Sequence, residues 1–332
     1  MQKDSWPRVA VYGAGAVGCF FGAKLAEAGA PVTLIGRAAH VEAILRDGLL
    51  FDSPGATRRV RIAADTGPEA VRDADLVLFC VKTRDTADAA RALAPLLRAE
   101  AVLVSLQNGV DNVPKLRDAG IDALGAVVYV ATSMPAPGHL LHAGRGDLVI
   151  GEYGARPGFA GDDRAPSGAT ANQVAAASPS ARARQVAAWF ERAGVPCQLE
   201  ADVRGELWTK LVMNCAFNAI SALGRSRYGA MVDEPEVRAL MREVIAECVV
   251  VAQAEGVSID DADAQFEAAM RLGEAMRQAS SSTSQDLARG RPTEIDSLNG
   301  YVAQRGQALG VAAPVNRALA TLVRLLERAT TN

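Results

Sequence analysis

Four polar residues recur at four-residue intervals within a largely apolar segment, DVRGELWTKLVMNCAFNAISAL, at positions 202–223. They are Glu206, Lys210, Asn214 and Asn218. On an α-helix each interval drifts by about 40° around the axis, so the four side chains form one slanted stripe, here called the polar ridge. Because buried polar groups without partners are costly, the ridge favours a cleft-lining role with Lys210 near a reacting atom. A solvent-facing stripe with a Glu206–Lys210 surface pair is the alternative.

A glycine-rich turn, GAGAVG at 13–18, follows the strand-like run RVAVY at 8–12 and opens a helical pattern. In such a unit the first glycine permits a tight turn, the second lets the backbone approach a pyrophosphate, and the third lets the helix pack closely on the sheet. The start of the helix offers free N–H groups and partial positive charge to phosphates. This context predicts a dinucleotide site rather than a turn without a ligand. The predicted binding residues are Gly13, Gly15, Ala16, Val17 and Gly18.

A second strand-like run, PVTLIG at 31–36, ends beside Arg37. At this place, about 20 residues past the turn, an NAD site usually carries Asp or Glu to hold the ribose hydroxyls. A carboxylate would repel a 2′-phosphate, whereas a guanidinium binds it through charge-assisted hydrogen bonds. Arg37 therefore predicts NADP(H) in preference to NAD(H), with a solvated surface arginine as the alternative.

The elements that must position these residues change in kind along the chain. Strand and helix patterns alternate over the first part, and nearly every pattern from Asp202 onward is helical. This order predicts an α/β Rossmann-type dinucleotide-binding domain over residues 1–200, followed by an all-α domain over residues 201–332 that completes the active site.

Within the first domain, we expect three strands between positions 125 and 152 that form a mixed edge of the sheet. The stretch from Tyr153 to Pro179 is rich in Ala, Gly, Pro and Ser and has no periodicity, which predicts a long exposed loop. Thr293 is a candidate cap for one helix of the second domain. The predicted helices there are 202–223, 235–255, 261–279, 294–309 and 314–329.

The composition excludes several classes of protein. A net charge of −3 over 332 residues gives no reason to expect a nucleic-acid or membrane partner. The five cysteines are odd in number and form no C-x-x-C motif, which indicates reduced thiols. The N-terminus shows no apolar signal region, and no apolar run approaches the ~20 residues of a membrane helix. We therefore expect a cytoplasmic protein.

The chain has three histidines, His40, His139 and His142. Positions 139 and 142 fall on one predicted strand, where residues three apart point to opposite faces. This spacing argues against a metal-binding pair, and no Asp or Glu partner is obvious nearby in the sequence. We expect structural or surface roles for all three histidines and no metal site.

Taken together, the motifs resemble the ketopantoate reductase (2-dehydropantoate 2-reductase) family, from Val9 to about Arg328. The matching segments are GAGAVG at 13–18, CVKT at 80–83, SLQNGV at 105–110, ELWTKLVMNCAFNAISAL at 206–223, and the SS, QD, G and TEID elements within 281–296. The resemblance implies that NADPH delivers a hydride to the 2-oxo carbon of ketopantoate. The product would be pantoate, a precursor of pantothenate and coenzyme A. It also allows a homodimer.

The same resemblance implies roles for individual residues. Lys210 would be the general acid that protonates the developing alkoxide, and Glu294 would hold the substrate hydroxyl or orient Lys210. Asn108 would lie beside the nicotinamide and ribose and contact the substrate, and Lys82 would lie near the cofactor, with an exposed loop lysine as the alternative. Both residues follow strands, and ligands bind at the carboxyl ends of the strands in such sheets. The remaining implied substrate-binding residues are Asn214, Asn218 and Ser282.

Two alternatives to ketopantoate reduction stay open. The segment GRSRYGAM at 224–231 lacks a substrate-binding asparagine that the family often places beyond the long helix, so a paralogous reductase of another small 2-oxo acid is one alternative. A non-catalytic NADP-binding sensor is the other, since it would keep the glycine-rich turn but need no lysine acid.

Overall fold

The computed structural model describes residues 5–154 and 178–331, with side chains as far as residue 329. The chain divides into two compact units, Met1–Val203 and Arg204–Asn332. Most of the predicted exposed loop at 153–179 lies outside the described residues.

The first unit is built on a β-sheet flanked by helices. Its strands are β1 (Val9–Tyr12), β2 (Val32–Ile35), β3 (Leu49–Ser53), β4 (Ala56–Val60), β5 (Ala63–Asp65), β6 (Leu76–Phe79), β7 (Val102–Ser105), β8 (Ala123–Ala136), β9 (His139–Glu152) and β10 (Cys197–Asp202). Its α-helices, within residues 5–154 and 178–203, are α1 (Ala16–Glu27), α2 (Ala38–Asp47), α3 (Thr86–Leu93), α4 (Asn112–Asp118) and α5 (Ala181–Arg192). The strands lie in the order β4-β3-β9-β8-β7-β6-β1-β2-β5, and β10 pairs with β9.

The centre of this sheet is parallel and buried on both faces. Strands β2, β1, β6, β7 and β8 pair in parallel, one after the other. Alternate residues enter different cores: Val9 and Val11 join one hydrophobic cluster, whereas Ala10 joins the other. Helices cover both faces, which explains why these strands are continuous apolar runs. The predicted Rossmann-type architecture is confirmed.

The prediction for residues 125–152 is wrong in two respects. Two strands of 14 residues, β8 and β9, replace the three expected ones and pair antiparallel with several register shifts. They also lie inside the sheet, because β3 and β4 continue it beyond β9. Sequence reasoning did not predict β3, β4 and β5, since none of these strands is a continuous buried run. Moreover, β4 is largely exposed and carries Arg58 and Arg59.

The second unit is helical among the described residues. Its α-helices are α6 (Arg204–Gly224), α7 (Tyr228–Asp233), α8 (Pro235–Ala254), α9 (Ala262–Ala275), α10 (Ser282–Ala288), α11 (Asn299–Leu309) and α12 (Pro314–Thr331). Helix α6 packs against α8, α10 and α12 and buries Trp208, Leu211 and Phe217. The predicted apolar helix over 202–223 is therefore confirmed. No helix in the described part of the chain is long and apolar enough to cross a bilayer.

Thr293 does not cap the helix predicted over 294–309. That helix, α11, begins only at Asn299, because residues 295–297 form a 3₁₀ turn and Leu298 leaves the helical conformation. The Thr293 hydroxyl accepts a hydrogen bond from the Ile295 N–H at the start of the 3₁₀ turn. The short helices α7 and α10 were not predicted, since neither shows a full apolar period.

Candidate functional site

The glycine-rich turn connects β1 to α1, and its three glycines differ in what requires them. Gly13 has φ +114°, and a Cβ there would lie 2.6 Å from the carbonyl carbon of Cys80. A Cβ at Gly18 would lie 2.8 Å from the Val11 side chain. At Gly15 the backbone is extended with φ −88°, and a Cβ would meet no atom within 4 Å. The fold thus requires glycine at positions 13 and 18, whereas Gly15 leaves open space beside the turn.

This open space lies where a phosphate group would be bound. Gly15 is the N-cap of α1, so the N–H groups of Ala16, Val17 and Gly18 belong to the first helical turn and lack intrahelical acceptors. Such groups, with the helix dipole, stabilise bound anions. Gly15 is exposed, and Ala16 and Val17 are half-buried. The shape of the turn and its free N–H donors therefore both fit a dinucleotide pyrophosphate.

Arg37 lies at the end of β2, beside this turn. The Gly13 and Ala14 N–H groups both donate to the carbonyl of Ile35, at 3.0 and 2.8 Å, which ties the turn to that strand end. A Cβ at Gly36 would lie 2.7 Å from Cβ of Ala14, so the close approach of the turn to the end of β2 requires glycine at position 36. Arg37 follows as the exposed N-cap of α2. A cation is therefore available next to the predicted phosphate site.

Lys82 and Asn108 lie at the carboxyl ends of two further neighbouring strands. Lys82 is exposed and follows β6, whereas Asn108 is half-buried and follows β7. The Thr83 hydroxyl donates to the carbonyl of Asn108 at 3.1 Å, joining the two loops. Because β7, β6, β1 and β2 are consecutive parallel neighbours, the predicted cofactor-binding residues of this unit share one edge of the sheet.

In the second unit, the polar ridge runs from half-buried to buried along α6. Glu206, Lys210 and Asn214 are half-buried, and Asn218 is only 4% exposed. The Asn218 amide donates to the Ser282 hydroxyl over 3.4 Å. Two predicted substrate-binding residues, distant in sequence, are therefore adjacent. The polar ridge is therefore not a solvent-facing stripe at its Asn218 end.

Ser281 belongs to the SS element quoted within 281–296, but sequence reasoning assigned it no role of its own. It is buried, its hydroxyl donates to the Asn218 carbonyl at 3.2 Å, and its N–H donates to the Ser221 hydroxyl at 3.3 Å. It also caps α10 by accepting from the Ser284 N–H. Ser281 thus fixes the start of α10, and with it Ser282, against α6. The cluster of serines at 280–282 was the only sequence signal for this contact.

Glu294 is half-buried and immediately precedes the 3₁₀ turn Ile295–Ser297. On one side of it, the Thr293 N–H and hydroxyl both donate to the Glu327 carboxylate at 3.1 Å. On the other side, the buried Asn299 amide donates to the carbonyl of Cys215, at 3.1 Å. Since Cys215 lies on α6 next to Asn214, this bond ties the segment that carries Glu294 to the helix that carries the polar ridge.

His139 and His142 lie on β9, on the β3 side of the sheet, whereas His40 lies in the first turn of α2, three residues after Arg37. His139 contacts the Asp52 carboxylate at 2.6 Å, a pair that sequence reasoning missed because the two residues are distant in the chain. Hydrogen bonds from Thr57 and His139 hold the pKa of Asp52 below its ordinary value. His142 packs against Phe20. Within residues 5–154 and 178–329, no group of three or more His, Cys, Asp or Glu side chains could hold a metal ion.

Two family models match the chain. The model described as ketopantoate reductase PanE/ApbA matches residues 9–155, and the one described as ketopantoate reductase PanE/ApbA C terminal matches residues 202–327. Together they match more than three quarters of the chain, with one model in each unit.

Individual relatives match over nearly the whole chain. The 2-dehydropantoate 2-reductase of Halobacterium salinarum is 36% identical over 326 residues, which are 97% of this chain and 99% of the relative. The crystal structure of a PanE/ApbA family ketopantoate reductase from Ralstonia eutropha is 45% identical, with a TM-score of 0.85 and coverage of 98% of this chain and 99% of that one. A D-mandelate dehydrogenase with NADH has a TM-score of 0.83, coverage of 98% and 99%, and 20% identity, which shows the fold alone. The chain belongs to the ketopantoate reductase family of dinucleotide-dependent oxidoreductases.

Proposed function

We propose that this protein reduces 2-dehydropantoate to pantoate with NADPH. The observation that carries the proposal is the polar ridge, in which Lys210 and Asn214 precede a buried Asn218 bonded to Ser282. A lysine and two amides on one face of α6, with the hydroxyl of Ser282 on α10 beside Asn218, suit a small substrate that carries a carboxylate, a carbonyl and a hydroxyl. The relatives named 2-dehydropantoate 2-reductase, matched over nearly the full chain, support this substrate.

The first unit would hold the cofactor. The pyrophosphate would bind the N–H groups at the start of α1, and Arg37 would bind the 2′-phosphate that distinguishes NADPH from NADH. Lys82 and Asn108 would contact the nicotinamide end. When bound, the reduced nicotinamide supplies the hydride for the 2-oxo carbon.

The second unit would supply the acid and hold the substrate. Reduction of the carbonyl leaves negative charge on its oxygen, and Lys210 would donate a proton there, which stabilises the developing alkoxide by both charge and proton transfer. Glu294 would orient Lys210 or hold the substrate hydroxyl. The residues proposed to bind the substrate hydroxyl and carboxylate are Asn214, Asn218 and Ser282. Asn108, beside the nicotinamide, is also proposed to contact the substrate.

The experiment that tests this proposal is steady-state oxidation of NADPH with purified protein and a panel of 2-oxo acids. The highest kcat/KM is expected for ketopantoate. A higher value for another acid would establish the paralogous reductase, an alternative motivated by the missing asparagine in 224–231. NADPH binding without turnover on any acid would establish the sensor instead.

Arg37→Ala is expected to lower kcat/KM for NADPH by about 10- to 100-fold, which corresponds to one charge-assisted contact of about 1.5–3 kcal/mol. The value for NADH should not fall, because NADH carries no 2′-phosphate. Steady-state kinetics with both cofactors measure the ratio of kcat/KM for NADPH to kcat/KM for NADH. Arg46→Ala removes an exposed guanidinium from the last turn of the same helix, α2, and serves as the matched control. Equal losses with both cofactors in Arg37→Ala would contradict the assignment.

We further propose that the protein acts in the cytoplasm and forms a homodimer. Sedimentation velocity at several protein concentrations tests the homodimer, and a single species of monomer mass would exclude it under those conditions.

A further inference from the structure

Five polar side chains lie buried near the carboxyl ends of β6 and β7, and the proposed function gives none of them a role. They are called here the buried polar cluster: Thr83, Thr86, Ser105, Gln107 and Asn112, each at most 7% exposed. Buried hydroxyl and amide groups need hydrogen-bond partners, and a fully paired network restrains the segments that it joins. The segments that these five side chains hold in place therefore indicate the role of the cluster.

One part of the cluster extends the sheet beyond its backbone ladder. The ladder between β6 and β7 ends with the Leu106 N–H, which donates to the Phe79 carbonyl at 2.9 Å. From there the Gln107 amide donates to the carbonyl of Val81 at 2.9 Å and to the Thr86 hydroxyl at 2.7 Å. The Ser105 hydroxyl donates to the Gln107 amide oxygen at 3.0 Å, so the amide has one favourable orientation. The backbone just before Lys82 is thereby tied to β7.

The other part of the cluster holds the carbonyl of Asn108. The Asn112 amide donates to it at 2.7 Å, and the Thr83 hydroxyl donates to it at 3.1 Å. The Thr86 hydroxyl in turn donates to the amide oxygen of Asn112, at 3.0 Å, which fixes the orientation of that amide. Two donors on one carbonyl fix the peptide plane that follows Asn108. The backbone that sets the direction of the Asn108 side chain is therefore restrained.

The strand order places this restraint at a particular part of the bound dinucleotide. Arg37 follows β2, the glycine-rich turn follows β1, and Lys82 and Asn108 follow β6 and β7. In the sheet β6 and β7 lie on the side of β1 opposite to β2. If the 2′-phosphate of the adenosine lies at β2 and the pyrophosphate at β1, the nicotinamide end must extend toward β6 and β7.

We infer that the buried polar cluster positions the nicotinamide end of the cofactor, with Thr83 acting through the Asn108 carbonyl. This inference rests on the proposed function, because it assumes that the bound ligand is NADPH. Thr83 is a positioning residue, since it contacts neither cofactor nor substrate in this scheme. Loss of its hydroxyl removes one of the two donors that fix Asn108 and leaves the glycine-rich turn and Arg37 unchanged.

The test compares Thr83→Val, which keeps the shape but removes the hydroxyl, with Thr83→Ser, which keeps the hydroxyl but removes a methyl group. For each variant we would measure kcat, the Kd of NADPH and the Kd of adenosine 2′,5′-bisphosphate. This probe retains the adenosine and its 2′-phosphate but lacks the nicotinamide and its ribose. Thermal unfolding reports on the fold. Thr83→Ala replaces Thr83→Val if the valine variant does not fold.

We expect Thr83→Val to lower kcat by about 10- to 100-fold, since small misplacement of reacting groups costs this much. Its Kd for NADPH should rise by about 3- to 10-fold, equivalent to one hydrogen bond that a misplaced Asn108 would no longer make to the cofactor. Its Kd for the bisphosphate should not change. Thr83→Ser should resemble the wild type in all three values.

Equal weakening of both ligands in Thr83→Val would overturn the inference, and so would equal impairment of the valine and serine variants, because packing alone would then explain the residue. Unchanged kcat and NADPH affinity in Thr83→Val would overturn it as well. A wild-type protein that neither binds NADPH nor reduces any 2-oxo acid would remove the proposed function and the inference together. The behaviour of the wild type thus separates the two kinds of failure.

Discussion

Lys210→Ala is expected to lower kcat on the best 2-oxo acid by about 10²- to 10⁴-fold, the range for loss of a positioned general acid. The charge that develops on the carbonyl oxygen would lose both its proton donor and its cationic neighbour. NADPH affinity should not change, because the groups proposed to bind the phosphates belong to the first unit. Steady-state kinetics and NADPH titration measure the two effects separately.

The control for this experiment is Lys24→Ala, which removes a lysine from the last turn of α1. That variant should retain wild-type kcat. A Lys210→Ala enzyme that keeps more than about a tenth of its kcat would exclude Lys210 as the acid. Loss of NADPH binding in Lys210→Ala would also contradict the assignment, since it would indicate a role in cofactor binding or folding.

Gly15→Ala is expected to weaken NADPH binding by about 10- to 100-fold, equivalent to about 1.5–3 kcal/mol of lost phosphate contact. The reason is that a methyl group would occupy the open space beside the first turn of α1. The stability of the fold should change little, because the added Cβ meets no protein atom within 4 Å and φ is −88°. Alanine at an N-cap costs about 0.5 kcal/mol at the low end of measured values.

Gly13→Ala provides the contrasting result for the same turn. Its Cβ would collide with the backbone of Cys80, and its φ of +114° is unfavourable for alanine. This variant should therefore lose well over 1 kcal/mol of unfolding free energy, measured by chemical denaturation. If Gly15→Ala is instead destabilised while it retains full NADPH affinity, the turn is structural and the phosphate assignment is wrong.

The parts of the fold that were predictable from the sequence are those with local signals. Residues 8–36 combine a buried strand, a glycine-rich turn, a helical pattern and a second strand-like run, and the structure confirms β1, α1 and β2 there. The long apolar helix that bears the polar ridge is confirmed as α6 for the same reason. Strands such as β4, with two arginines and little burial, form because a neighbouring strand pairs with them, and their own residues carry little signal.

The residues of the candidate site likewise divide into those with a local sequence signal and those without one. Gly13 and Gly18 could be assigned because the strand–turn–helix unit requires close packing at both positions. Gly15 could be assigned because the same motif needs room for the approach of a pyrophosphate. Ser281 and Gln107 could not be assigned, because their partners, Asn218 and Thr86, are distant in the chain and meet them only in the folded protein. The roles of Lys210, Glu294 and the substrate-binding residues stay predictions until the variants are measured.

The pairing of β9 has a consequence for how the protein folds during synthesis. This strand pairs with β3, which precedes it by many residues, and with β10, which begins only at Cys197. The sheet of the first unit therefore cannot be completed until residues near Asp202 have left the ribosome. Pairings between distant segments make folding slow and expose strand edges meanwhile. We expect nascent chains that end before β10 to be susceptible to proteolysis and bound by chaperones, and protection to appear once β10 emerges.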